Sequence, residues 1–143
     1  MKAESHKGCP LCCVEKQIIL SESELWYWIA SLSPYWEYHT MFIPKRHVEK
    51  FIDLSVEELI DLKNLYKKAH QHVTSLHLKH KSGRSIDQFI FMLRVREKDI
   101  PDGSEYLKPN HLHIHYAPDE AGVRRLVIDD DAINWDVELF KIH

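Results

Sequence analysis

Apolar and polar positions change their spacing near residue 55, and the change separates strand-like from helix-like stretches. Ahead of it, "QIILSESELWYWIA" (17–30) predicts two short strands around a polar turn, and "HTMFIP" (39–44) predicts a third, stopped by Pro44. From Ser55 the period lengthens. "SVEEL" sets a Ser N-cap three residues ahead of Glu58, the capping-box arrangement, so a helix is expected to begin there. Its apolar stripe, Leu59, Leu62, Tyr66, Ala69, Val73 and Leu76, advances by threes and fours, as one face of a long helix packed on a sheet does. The helix is expected to end near His77 to His80. "SGR" (82–84) then turns the chain into a strand at "DQFIFMLRV" (87–95), and "EKDIPDGSEYLKP" (97–109) reads as a polar loop. The tail "RRLVIDDDAINWDVELFKI" is expected to hold one more strand and a short helix, or to wrap a partner subunit.

Between that loop and the tail lies "NHLHIHYAP" (110–118), with a histidine at every second position. A strand has a side-chain period of two, so His111, His113 and His115 project to one face while Leu112, Ile114 and Tyr116 point to the other. Neighbours in such a row stand roughly 6.6 to 7 Å apart at Cα, near enough to share a metal or a phosphate and far enough to hold separate tasks. Imidazole titrates near neutrality, so one ring nitrogen can attack phosphorus while another ring donates a proton. Two competing readings are a solvent-facing strand in a histidine-rich chain, and three ligands of one catalytic zinc with an open position for water. The second is strained, because a third histidine on a straight strand reaches poorly round a tetrahedron.

Composition narrows the classes. The chain has 143 residues, 44% hydrophobic and 29% charged, which suits one soluble domain with its own core. A formal charge of -3 argues against a broad phosphate-neutralising surface, so nucleic acid is not the expected partner. "MKAESHKGCPLCC" lacks the apolar run of a secretory signal, and no stretch approaches the roughly 20 apolar residues of a membrane span, so a cytoplasmic location is expected. Cys9, Cys12 and Cys13 cannot build a disulfide framework; they read as a metal site or a redox pair.

"HLHIHYA" resembles the alternating signature of the histidine triad (HIT) superfamily, and "YHTMFIPKRHVEKFIDLS" (38–55) is similar to the segment which that family places upstream, a strand ending in Pro-Lys-x-His before the long helix. The likeness runs in order from "CPLC" to His115. It implies a small α+β fold: an antiparallel sheet of about five strands with one long helix and a shorter one. Residues 1–16 would form a zinc-knuckle segment, 17–118 the core and 119–143 a C-terminal extension. A homodimer is implied, as is the hydrolysis or transfer of a small-molecule nucleotide. The middle histidine, His113, would be the nucleophile, forming a covalent nucleotidyl-histidine at a phosphate ester, anhydride or phosphoramidate. Its other ring nitrogen would donate to a backbone carbonyl. His115 would be a hydrogen-bond donor beside the transferred phosphate, and His39 a further member of the cluster. The zinc-bearing branch of the family implies a structural zinc on Cys9, Cys12, His47 and His111, with Cys13 a substitute for Cys12.

Three positions depart from the family pattern. Ser31 stands where an Asp usually meets ribose hydroxyls, and keeps a hydroxyl without the charge. Before the triad, Leu107 and Lys108 replace a Gln and Ser that help hold phosphate, and Pro109 has no N–H to offer. Lys108, or Arg94 or Arg96, can compensate as a charge on an oxyanion. Trp28, from "LWYWIA", is a candidate for stacking on a base, whereas Trp26 shares its side of the strand and core packing claims at least one of them. His70, His72, His77 and His80 are expected on the solvated surface. Two functions follow: an enzyme of shifted specificity, or a nucleotide-binding or regulatory module that keeps the zinc-stiffened scaffold without turnover.

Overall fold

A computed structural model describes residues 9–32, 34, 36–95, 111–119 and 135–143. The strands are β1 (Ile18–Glu22), β2 (Trp26–Ala30), β3 (Thr40–Pro44), β4 (Phe89–Met92) and β5 (Ile114–Pro118), and the long helix is α1 (Val56–Ser75). They form one five-stranded sheet in the order β1-β2-β3-β5-β4, with every neighbouring pair antiparallel. The architecture is α+β, as expected. Among the described residues, short 3₁₀ turns lie at Val14–Lys16, Phe51–Asp53 and Val137–Leu139. The polar loop at 97–109 and any strand in 120–134 lie outside the described residues.

The sheet is covered on both faces. On one, Leu20, Trp26, Trp28, Phe42, Ile114 and Tyr116 pack with Leu62, Leu65, Ala69 and Val73 of α1. On the other, Cys9 and Leu11 lie over Ile29 and Ile43, with Ile19, Tyr27 and Met41 beside them. Buried polar atoms are matched. Trp28 Nε1 donates to Thr40 Oγ1 (2.8 Å), Thr40 Oγ1 donates to the Tyr116 carbonyl (2.8 Å), and Trp26 Nε1 donates to the Glu58 carbonyl (2.8 Å).

The helix starts as expected. Glu58 N–H donates to Ser55 Oγ and Ser55 N–H donates to Glu58 Oε1, a complete capping box. The buried stripe differs from expectation. It runs through Glu58, Leu62, Leu65, Ala69 and Val73, while Leu59 is 37% exposed. The reason is that the Glu58 carboxylate turns inward to take both its cap and the Arg46 guanidinium (2.6 Å), which rotates the stripe and brings Leu65 to its centre. Burial by itself would raise the Glu58 carboxyl, but Arg46 and the Ser55 N–H outweigh it and hold it below the ordinary range.

α1 ends at Ser75, and His77 turns away at φ +50°. Gly83, at φ +91°, makes the turn of the following hairpin. β5 begins later than the histidine alternation suggests. Continuing its register with β3 sets Leu112 opposite Pro44, which has no N–H for the ladder. Leu112 N–H goes to the Val48 carbonyl instead (2.6 Å), and His111 Nε2 takes the Pro44 carbonyl (2.8 Å).

Candidate active site and metal centre

A tight turn, with Cys12 N–H on the Cys9 carbonyl (3.1 Å), brings two thiols to the sheet face opposite α1. There they meet two imidazoles. Cys12 Sγ lies 3.2 Å from His47 Nδ1 and 3.4 Å from His111 Nδ1, and Cys9 Sγ lies 3.6 Å from His111 Nδ1. With metal bonds of about 2.3 Å to sulfur and 2.0–2.1 Å to nitrogen, an ideal zinc tetrahedron has S···N edges of about 3.6 Å. All four ligand atoms fall within 4.8 Å of one another, so Cys9, Cys12, His47 and His111 form a group that can hold a metal ion.

Their surroundings support the ligand role. The Pro44 carbonyl can only accept, so it fixes the His111 proton on Nε2 and turns the Nδ1 lone pair toward the thiols. His47 Nε2 faces Glu49 at 3.7 Å. Burial, followed by the adjacent Cys12 thiol, pushes the Cys9 thiol up. A divalent cation opposes both effects by stabilising thiolates. Cys13 lies outside the cluster and supports the turn behind it, its carbonyl accepting from Lys16 N–H (3.0 Å).

His113 is half-buried, and its Nδ1 lies 2.9 Å from the His111 carbonyl. In the neutral ring the proton therefore sits on Nδ1, and the lone pair is on Nε2. His115 is its neighbour on the same face, with ring centroids 5.0 Å apart. Across the β3–β5 pair, His39 Nε2 meets His115 Nδ1 at 2.8 Å, so one of these nitrogens donates to the other. Burial, followed by the charges that His115 and His113 would carry, lowers His39 to about 3. His39 therefore orients its neighbour as a neutral group. The three rings can present one nucleophilic nitrogen beside a fixed donor–acceptor pair.

The other sequence candidates divide. Ser31 lies alongside His39, its N–H donating to the His39 carbonyl (2.9 Å). Trp28 is a correction: it is 0% exposed, lies on the α1 face between Phe42 and Phe140, and has its N–H occupied, so it offers no surface to a base. Arg94 is exposed just beyond β4, whereas Arg96, Leu107, Lys108 and Pro109 lie outside the described residues. Two surface assignments for histidines also change: His80 is buried, 4.0 Å from Glu37, and the part-buried His70 has its Nδ1 2.6 Å from the Tyr116 hydroxyl. His72 makes an exposed contact, its Nε2 donating to the Leu139 carbonyl at 2.8 Å.

Trp36 was not anticipated from the sequence. Its ring meets His39 edge-on at 4.8 Å and His115 at 6.0 Å, walling the cluster. The available signal was "YWEYH", three aromatic residues in a connection where turn residues are ordinary.

No family model matches the chain. Among solved structures, a Zn-bound histidine triad family protein from Mycobacterium smegmatis is similar at 18% identity, covering 93% of this chain and 87% of its own, with a TM-score of 0.62. A histidine triad nucleotide-binding protein from Candida albicans is similar at 18% identity over 85% of this chain and 82% of its own, TM-score 0.60. A HIT family hydrolase from Clostridium thermocellum is similar at 18% over 86% of this chain and 100% of its own, TM-score 0.54. Likeness at these identities establishes a shared fold.

Proposed function

We infer that this chain, which has the histidine triad fold, is a histidine triad protein: a nucleotide hydrolase or nucleotidyltransferase working through a covalent intermediate on His113. The observation that carries the reading is the His113 ring, fixed through Nδ1 by the His111 carbonyl and set beside the His39–His115 pair. In the first step Nε2 attacks the α-phosphorus of a nucleotide. An N–P bond forms as the bond from phosphorus to the leaving oxygen or nitrogen breaks; the leaving group takes the bonding pair and is protonated from solvent. Water or another acceptor then attacks the same phosphorus. It loses a proton to solvent, and His113 departs with the N–P electron pair. His115 donates to a phosphoryl oxygen, oriented by neutral His39. Ser31 beside His39 takes a ribose hydroxyl, and Trp36 supplies the aromatic wall that Trp28 does not.

Zinc is the ion that suits two thiolates and two imidazoles, and it supplies a closed, charge-balanced structural tie. That tie joins the "CPLC" turn and the "PKRH" segment to the residue two before the nucleophile, and takes no part in bond making. In the described part of the sheet, β4 occupies an edge with Phe91 45% exposed, which supports a homodimer joined at that edge. Free thiols on all three cysteines suit a reducing, cytoplasmic setting. Among the described residues no helix is long and apolar enough to cross a membrane.

The test uses dinucleoside polyphosphates, nucleoside phosphoramidates and adenylylated compounds. His113→Ala is expected to fold and to lower turnover at least about 10³-fold, and α-labelled nucleotide is expected to give an acid-labile, His113-dependent adduct. Equal turnover by the variant would sink the assignment. The lack of charge at Ser31 favours one second reading, a nucleotide-binding module, for which nucleotide would bind without any adduct.

A further inference from the structure

The residue before His39 is held from the opposite face of the sheet by residues 135–142. Tyr38 has φ +54°, a left-handed backbone that ordinarily favours glycine. Its ring stacks on Phe140, with centroids 5.6 Å apart and 13° between planes, and meets Trp135 edge-on at 5.5 Å. Trp135 and Phe140 are themselves 4.6 Å apart. Phe140 is 1% exposed and also lies against Trp28 at 5.9 Å, so Tyr38 rests on a fixed support.

That support is tied down by three polar contacts. Ile142 N–H donates to the Leu20 carbonyl of β1 (2.9 Å), His72 of α1 donates to the Leu139 carbonyl (2.8 Å), and the Asp136 carboxylate accepts from Glu138 N–H (3.0 Å). The left-handed turn lets two consecutive side chains diverge. Tyr38 goes to the α1 face and His39 to the histidine face, where it reaches His115 at 2.8 Å. A competing tether exists on the other neighbour: the Glu37 carboxylate accepts from Lys81 N–H at 3.2 Å.

We propose that Phe140 is a positioning residue for the His39–His115 pair, acting through the ring of Tyr38. Its effect on turnover rests on the reading of His113 as nucleophile; its effect on the histidine rings does not. The stack selects the left-handed conformation at Tyr38, and that conformation aims His39.

The experiment records ring ¹⁵N–¹H spectra of the full chain labelled at histidine nitrogen, alongside kinetics, for three variants whose folding is checked by circular dichroism. Tyr38→Ala removes the ring and, unlike glycine, has no ease at positive φ of its own, Phe140→Leu keeps apolar bulk and removes the stacked plane, and Tyr38→Phe keeps the stack. The first two are expected to lose the His39–His115 N–H signal and to lower kcat about ten- to a hundredfold, with KM within about twofold. Tyr38→Phe should keep both. An unchanged ring signal in folded Tyr38→Ala overturns the proposal. Tyr38 is only half-buried, so Tyr38→Ala decides the matter even if Phe140→Leu does not fold. The spectra are read whether or not the chain turns nucleotide over.

Discussion

Folded, His39 stays neutral down to about pH 3, against an ordinary value of 6.5, chiefly because it is buried. The unfolded chain takes up that proton below its ordinary pKa and the folded chain does not, so acid favours unfolding. Stability from this group is complete above about pH 6.5 and is lost toward pH 3, with a slope approaching about 1.4 kcal/mol per pH unit. Replacing His39 by Gln, which can still hydrogen-bond His115, should flatten the urea-midpoint profile between pH 7 and 5 by about one proton. Equal slopes for the two proteins would refute this. Protonation of the thiol–imidazole cluster acts in both and cancels in the comparison. At this scale, what the sequence made legible was periodic. A two-residue period sent His113 and His115 to one face whatever packed above them. The same period paired Trp28 with Trp26 but did not say which side α1 would cover, because both faces of this sheet are apolar. Alternation alone therefore leaves Trp28 a candidate for stacking on a base, whereas packing under α1 puts it in the core.

α1 was readable to within a turn because its signals are local: a cap, a box and a 3.6-residue stripe. What escaped was its rotation, set by the pairing of Glu58 with Arg46 from the "PKRH" segment. That pairing fastens the stretch carrying His47 to the first turn of the helix. Glu58→Ala removes both the cap acceptor and the Arg46 partner, and should cost roughly 1–3 kcal/mol in chemical denaturation. Glu58→Gln keeps the cap and should recover a good part of it. The half-exposed Arg46 makes the ionic share the smaller one. Glu58→Ala should also weaken metal retention about tenfold through its effect on His47, measurable by chelator competition; unchanged competition would separate the helix from the metal centre. The late start of β5 was unreadable for a related reason. Pro44 stops a ladder only after β3 and β5 have met, and nothing near His111 announces that meeting.

Across the whole molecule, Cys9 and Leu11 cap the sheet face opposite α1, and the thiol–imidazole cluster fastens them there. Purified protein is expected to carry about one zinc per chain by elemental analysis. Chelation should lower the melting temperature and expose the Ile29 and Ile43 side of the sheet to proteolysis or dye. Cys9→Ser should lose the metal while His113→Ala keeps it. The opposite pattern would make the triad itself the metal site and remove the nucleophile from the proposal. The fold was largely legible at this level through a resemblance, because "HLHIHYA" and the upstream "YHTMFIPKRHVEKFIDLS" together match the pattern of the histidine triad superfamily. The docking of Phe140 under Tyr38 was not, since Trp135 and Phe140 fall in a tail with no periodic pattern to declare their partner.

Cys9 and His111 are separated by 102 positions. During synthesis a ribosome releases both cysteines and His47 long before the last ligand, so an emerging chain can grip an ion only loosely. Full coordination of a metal by this group would wait until His111 and His113 have left the exit tunnel, which would make tight metal capture a report that the histidine strand has been delivered.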